Sequence, residues 1–558
     1  GIFNNDGIVN LGSTIVANNT AGFSNDDLRN QLGTINASDS LIRSDASEIN
    51  GTNVNTLTNV DPLFEPVGLQ DNGGPTQTLA LQTTSPAIDQ GSNPLTLNVD
   101  QRGADRTVGG GTDIGAFEVV NFSAIVVDTL EDTIDGDFTA GDRSLREALG
   151  FIAAGGTITF DASLLNQTIT LSGSELDIAK ALTIDGSTNN ITLDGAGLSR
   201  VFNIDDGDAS TSVAVNLSDL TITGGAIAGT FDKGGGIYNY ESLILSNSTI
   251  SGNSANFGAG IGNLGTIAIA NSSITGNFGS HGGGLYSNQS ASVTNSTLSG
   301  NSASARGGAI YNRYGTIDVI NSTISGNTAV NGGGIYNTDY FSTAIVSNST
   351  IYGNTATLGG GVFNDSYASI TIRYSTVCNN SVSSTGGGIF NRNDGPVTLI
   401  STIVGNNYAS TGYSSLVNQF GTINATNSLI ESDSGNVNGT NTGNIFDVDP
   451  QLDPAGLQNN GGPTLTIALQ DTSPALDAGS NPNGLTADQR GANRTAAVGT
   501  DIGAYEIDFS TIVVDTLEDT VDGDFSAGDR SLREALAFIT DGGTITFDAS
   551  LLNQTITL

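Results

Sequence analysis

Between about Gly234 and Asn407 two short phrases alternate along the chain at a nearly fixed spacing. One reads GGGIYN at Gly234, GAGIGN at Gly258, GGGLYS at Gly282, GGAIYN at Gly307, GGGIYN at Gly332, GGGVFN at Gly359 and GGGIFN at Gly386. The other reads NSTISGN at Asn247, NSSITGN at Asn271, NSTLSGN at Asn295, NSTISGN at Asn321 and NSTIYGN at Asn348, in steps of 24, 24, 26 and 27 residues. A unit this short cannot bury its own apolar side, so units must stack on their neighbours as a solenoid. The segments between the glycines are short, rich in Ile, Val and Thr, and alternate with period two, which makes the solenoid β rather than α. The expected fold is all-β: a right-handed parallel β-helix of roughly 25 residues per coil, with coils about 4.8 Å apart.

Stacking turns equivalent positions into columns. Ile237, Ile261, Leu285, Ile310, Ile335, Val362 and Ile389 form an apolar column placed inside a β-helix expected from about Phe122 to Ile403. Their neighbours Tyr238, Tyr286, Tyr311, Tyr336, Phe363 and Phe390 must then point the other way, in an aromatic column broken at Gly262. That column reads either as ordinary stacking on the wall or as a platform for sugars. Asn253, Asn277, Asn301, Asn327 and Asn354 fall at a turn, where Asn tolerates left-handed backbone and stacked amides bond along the axis. The glycine runs allow corners that a Cβ would block. The N-x-S/T triplets at Asn247, Asn295, Asn321 and Asn348 fit a glycosylation acceptor, but their place at one turn of every coil favours a structural cause. Cys378 stands where equivalent blocks have Ser or Thr and reads as a tolerated exchange.

A longer repeat encloses the short one. Phe122 to Leu171 returns at Phe509 to Leu558 with 44 of 50 residues identical, an offset of 387. GIFN at Gly1 matches GIFN at Gly388, and TDIGAFE at Thr112 matches TDIGAYE at Thr500. The expected organisation is the end of one unit (1–121, last coil and closing module), a complete unit (122–508) and the start of a third (509–558). The chain thus reads as a window on a longer tandem array.

Seventeen basic residues face 56 acidic ones, a net charge of −39. That field excludes nucleic acid and anionic membrane surfaces as partners, and it attracts divalent cations and basic surfaces. A single cysteine rules out an internal disulfide framework. No apolar run approaches the ~20 residues of a membrane span.

The alternating glycine and Asn-Ser-Thr phrases resemble the coils of polymorphic outer-membrane proteins and related bacterial surface β-helices. DRSLREAL, at Asp142 and Asp529, is similar to the CSLREA motif that opens many secreted bacterial β-helix proteins, with Arg143 and Arg530 where that family has Cys. No thiol role carries over. DNGGPTQTLALQTTSPAIDQGS, DQRGADR and TDIGAFE, repeated as NNGGPTLTIALQDTSPALDAGS, DQRGANR and TDIGAYE, resemble the choice-of-anchor Q domain that closes such proteins. The resemblance implies an extracellular, secreted or cell-surface location.

Two constellations carry candidate chemistry. DGDFTAGD is a glycine-bent loop dense in carboxylates, as Ca²⁺ requires. Asp135, Asp137 and Asp142, with Asp522, Asp524 and Asp529 in the second copy, are the candidate Ca²⁺ ligands, within a cluster that includes Asp128, Glu131 and Asp132. The alternative is a solvated acidic turn capping the short SLREAL helix. In the closing module Asp89, Asp100, Arg102, Asp113 and Glu118 are matched by Asp477, Asp488, Arg490, Asp501 and Glu506. An Arg flanked by carboxylates reads as a fixed pair holding loops together. For a lyase or glycosidase the coils offer little: Arg306, Arg313, Arg373 and Arg392 are scattered, Asp318, Asp339 and Asp365 share no column, and His281 has no acidic neighbour. The chain therefore reads as no enzyme, with no catalytic residue. The expected function is a structural subunit of an extracellular fibre, sheath or surface filament whose partners are further units end to end. A calcium-stiffened adhesin gripping glycans or cells is the alternative, and a polysaccharide lyase or hydrolase the third reading.

Overall fold

The computed structural model describes the chain except residues 21–26, 71, 73–74, 83–84, 104–105, 107–110, 120–121, 135–139, 188, 411, 495–498, 508–510, 521–529 and 540–542. It divides into two compact units, residues 1–164 with 181–184, and residues 165–180 with 185–558.

The larger unit is a parallel β-helix, as the short repeat requires. One coil runs through Ile237–Asn239, Ser242–Ser246 and Thr249–Ser251, and each strand pairs in parallel with its equivalent one coil on, at Ile261–Asn263, Thr266–Ala270 and Ser273–Thr275. Repetition of this step builds three walls, the first from the Ser242–Ser246 series, the second from the Thr249–Ser251 series and the third from the Ile237–Asn239 series. Each coil sends four side chains inward: Ile237, Leu243, Leu245 and Ile250, then Ile261, Ile267, Ile269 and Ile274, and so on, all buried. At roughly 1.5–3 kcal/mol per buried aliphatic side chain, these columns are the main source of cohesion.

Three corners turn the coil, and each carries a polar ladder. Between the second and third walls, Asn253 donates from Nδ2 to Oδ1 of Asn277, and the chain of amides continues through Asn301, Asn327, Asn354 and Asn380 to Asn407 at 2.8 to 3.0 Å. The ladder is as expected, but its backbone is not left-handed. The positive φ falls one residue earlier, at Gly252, and on the other side of the strand at Asn247. The Asn of each N-S-T triplet thus turns the backbone, while the Asn of each S-G-N satisfies buried polar groups. At Asn247's corner the Ser248 amide donates to Ser272 Oγ, and this bond recurs through Ser296, Ser322 and Ser349 to Ser375 at 3.0 to 3.1 Å. The third corner stacks Asn312, Asn337, Asn364 and Asn391.

The glycine triplet has a specific task. Before it, Ser254–Phe257 runs outside the third wall and pairs with Phe278–His281. After it, the chain folds back into the wall. A Cβ at Gly258 would sit 2.1 Å from the Ile261 carbonyl oxygen, and φ there is +58°. The outer face of the third wall is therefore covered by its own chain. Gly262 interrupts the aromatic column for the same reason: a Cβ there would meet the Gly234 amide at 2.6 Å.

The coils run further than the sequence suggests. Wall strands continue past Ile403 to Asn441–Thr442 and Ile445–Phe446. The later coils lack the glycine phrase because they are shorter, so the marker that defined the repeat disappears before the stacking does. After them the second closing module, about 447–507, lies along the second wall. In the smaller unit, short parallel coils span Ile2–Thr58 and precede the first closing module. Two parallel strands, Phe122–Val127 and Ile152–Phe160, then flank a helix at Leu145–Phe151.

Candidate functional site

Of the candidate Ca²⁺ ligands, Asp135, Asp137, Asp522, Asp524 and Asp529 lie outside the described residues, and Asp142 is half-buried. The flanking carboxylates are occupied by arginines. Asp128 accepts the Arg143 amide and Nε, both at 2.9 Å, and Arg146 forks onto Asp132 at 2.7 and 3.0 Å. The second copy repeats both clamps, Arg530 on Asp515 and Arg533 on Asp519. Burial pushes Asp128 up, but the Gly141 and Arg143 amides and the Arg143 guanidinium outweigh it and hold its pKa below the usual value. Arg143, which stands where the resembled family has Cys, is thus a fixed part of the loop. The helix is closed by a capping box in which Ser144 Oγ accepts the Glu147 amide and the Glu147 carboxylate accepts the Ser144 amide.

Among the described residues one set of carboxylates converges. Asp205, Asp206 and Glu241 each bring an oxygen within 4.8 Å of the others, and the group can hold a metal ion. Asp205 and Asp206 sit on the loop after Phe202–Ile204, and Glu241 follows Ile237–Asn239 one coil on. Their other hydrogen bonds are internal: Glu241 accepts the Asp206 and Val213 amides, and Asp206 accepts Thr211 Oγ1. The triad would supply three of the six to eight oxygens Ca²⁺ takes. No local motif marks it, because Asp206 and Glu241 are 35 residues apart and meet only when two coils stack.

The aromatic column is a second core rather than a platform. Tyr286, Tyr311, Tyr336, Phe363 and Phe390 are buried, with successive ring centroids 5.0 to 5.4 Å apart. Phe257 and Leu358, from the chain that folds back ahead of the glycines, pack against them. Alternation did set their direction, opposite to the Ile column, but outward is not exposed here. Burial pushes the Tyr286 phenol up to about 12. Tyr336 Oη donates to Asp365, whose carboxylate also takes Arg392, and Arg313 holds Asp339. His281 stacks on Phe257 at 4.7 Å, and burial followed by the Arg306 charge holds it below its usual pKa.

The closing-module constellation assembles as a lock. In the second module Arg490 donates from its amide and Nε to Asp488, and its guanidinium lies 3.7 Å from the Tyr505 ring centroid. Glu506 accepts the Asp501 amide, and Asp501 accepts the amides of Asp477 and Ile507. Arg494, fully buried, reaches towards Glu506 with Nε 3.8 Å from Oε2, and it donates to the Gly503 carbonyl. Burial pushes Asp501 up to about 6, and burial with the neighbouring Asp501 charge pushes Glu506 up to about 9. Asp89, Asp100, Arg102, Asp113 and Glu118 repeat the pattern, with Arg102 lying 3.7 Å from the Phe117 centroid.

Two working residues of this module escaped the sequence reading: Arg494 and Gln489. Both lie in the DQRGANR phrase. Gln489 fastens the module to the second wall, donating to Thr323 Oγ1 and Thr464 Oγ1 and accepting from Thr350 Oγ1. Beneath the module, Cys378 packs with Ile403, Leu452, Ile467 and Ile502, and burial pushes its thiol up. Its equivalents Ser299 and Ser325 are half-exposed, so the cysteine marks where the wall becomes an interior surface. Among the described residues no helix is long and apolar enough to cross a membrane.

No family model matches the chain, and no curated protein matches it. Among solved structures it is similar to pectate lyase Pel9A, at 13% identity and a TM-score of 0.43, over 69% of this chain and 96% of that one.

Proposed function

We propose that this chain is a structural segment of an extracellular or cell-surface filament built from tandem β-helix units. The observation that carries this reading is the uninterrupted stacking of the coils. Apolar columns and polar ladders run from coil to coil through the larger unit, so length is added without a new fold. The near-identity of the two opening modules supports it, since reach and stiffness grow with copy number. The high negative charge keeps such rods apart and soluble. A unit of about 387 residues at roughly 25 per coil gives at most ~15 coils, or ~7 nm of rise. Negative-stain images of native material should show an axial repeat of several nanometres, whereas compact particles alone would sink the filament. Cleavage of pectate by the purified chain would replace this reading with an enzymatic one.

The Asp205–Asp206–Glu241 triad favours a second reading, a calcium-stiffened surface adhesin. Calcium should then raise the melting temperature, and Glu241→Gln should abolish the rise; a melting curve indifferent to calcium and chelator excludes it.

A further inference from the structure

The two closing modules carry equivalent motifs but meet different surroundings. In the second, the side chains facing the second wall are spent on it. Besides the Gln489 bonds, Thr323 Oγ1 donates to the Leu465 carbonyl at 2.6 Å, and the Ala504 amide donates to Thr376 Oγ1 at 3.1 Å. Ile467 is 2% exposed. In the first module the equivalents of Gln489 and Ile467 are Gln101 and Leu79. Gln101 is exposed and its side chain bonds, among the described residues, within its own module to Thr76 Oγ1 and the Gln77 carbonyl, and Leu79 is 40% exposed. The two residues line a cleft of about 680 Å³ together with Leu97, Val99, Arg106 and Phe117.

We propose that this cleft is a docking seat for a β-helix wall of the protein's own coil type, from an adjoining unit. Its occupant is a second copy of the run Asn321–Cys378, presenting the threonines that stand at Thr323, Thr350 and Thr376. The seat rests on the tandem-array reading above. The chemistry matches that occupant because the equivalent face of the second module already grips such a wall. Among the polar groups that line the cleft, with Ser13, Thr14, Thr78, Asp100 and Arg106, is the Gln101 amide, whose equivalent in the second module takes a threonine hydroxyl on each side. The aliphatic part of the lining, Leu79, Leu97 and Val99, suits the methyl side of a threonine row and the apolar position that Cys378 occupies beneath the second module. Continuity supports it as well. The part of the interface the first module does make is the same one: the Gly115 amide donates to the Ser13 carbonyl as the Gly503 amide donates to Ser401, and Ser13 Oγ donates to the Ser92 carbonyl as Ser401 Oγ does to Ser480. At the next coil the two modules part. A Cβ on Gly503 would meet both Ile403 and Thr376, whereas one on Gly115 would meet only Ile15.

The test compares the chain as it stands with one in which residues 234–387 are repeated ahead of Gly1, in the register in which residue 387 precedes Gly388. Leu79→Cys is the reporter and Ile467→Cys the closed reference, with Cys378 silent because it is fully buried. Leu79→Cys should react rapidly with a thiol reagent in the unextended chain and at least tenfold more slowly in the extended one. Hydrogen exchange at Ala116, read without any cysteine, should slow in parallel, and Gln101→Ala should restore part of both rates. Unchanged reactivity and exchange in an extended chain that images as a longer rod would overturn the seat and leave the array standing. Unchanged reactivity in compact particles would overturn both.

Discussion

The first and second closing modules share their motifs in the same order, yet one face of the first is wet and the same face of the second is interior. Leu79 and Ile467, or Gln101 and Gln489, differ in burial because of what lies against them and not because of what they are. The parts that do not depend on a neighbour are alike. Arg102 and Arg490 hold Asp100 and Asp488 in the same way, and Glu118 and Glu506 accept the same amide. The module is therefore a self-locked core with a surface whose energetic weight depends on the coils it meets.

Paired substitutions can break that comparison. Ile467→Asp puts an unpaired charge into the apolar cluster around Cys378 and should cost about 3–5 kcal/mol of local stability, against about 1 kcal/mol or less for Leu79→Asp. Native-state hydrogen exchange over 60–119 and 447–507 reads both, and equal losses would mean that the wall contributes nothing. Gln489→Ala strands the Thr350 hydroxyl and takes a donor from Thr323, and should cost about 1–3 kcal/mol, while Gln101→Ala should stay within about 0.5 kcal/mol.

A pH titration sharpens the comparison from the other side. Asp501 and Glu506 have folded pKa values raised to about 6 and about 9, so the fold favours their protonated forms. Their contribution is fully present below the ordinary carboxylate range and is lost as pH rises through those values. The second module should loosen steadily between pH 5 and 9, and Glu506→Gln, which keeps an acceptor for the Asp501 amide, should flatten the upper part of the curve. Burial also raises Asp113, so the first module shares the sign of the effect. The smallest expected change is Cys378→Ser, about 1 kcal/mol for a hydroxyl placed under the module. Calorimetry would detect it as a shift confined to the second module's transition.

Much of the fold was legible because its causes are local and repeated. Period-two alternation fixed which side Ile237 and Tyr238 face, and the spacing of the Asn253 column foretold an amide ladder. The left-handed corner was assigned to the wrong Asn, since both asparagines suit a turn and only the stacked coil shows which one is needed inside. The aromatic column was readable as a column but not as a buried one. That required the chain ahead of Gly258 to fold back over the wall, a path set by backbone approach distances.

The sequence by itself determined the coil, because each repeat states its own strand alternation, its glycine corner and its ladder residues within about 25 positions. It also determined the Arg–Asp locks of the modules, whose partners lie close along the chain. Only the tertiary structure decided which surfaces are interior. The Asp205–Asp206–Glu241 triad, the apolar bed at Cys378 and the grip of Gln489 on Thr323 and Thr350 join residues from different coils, or from a coil and a module more than a hundred residues away. Burial is a property of the pair of surfaces that meet, and one strand of sequence describes only one of them at a time.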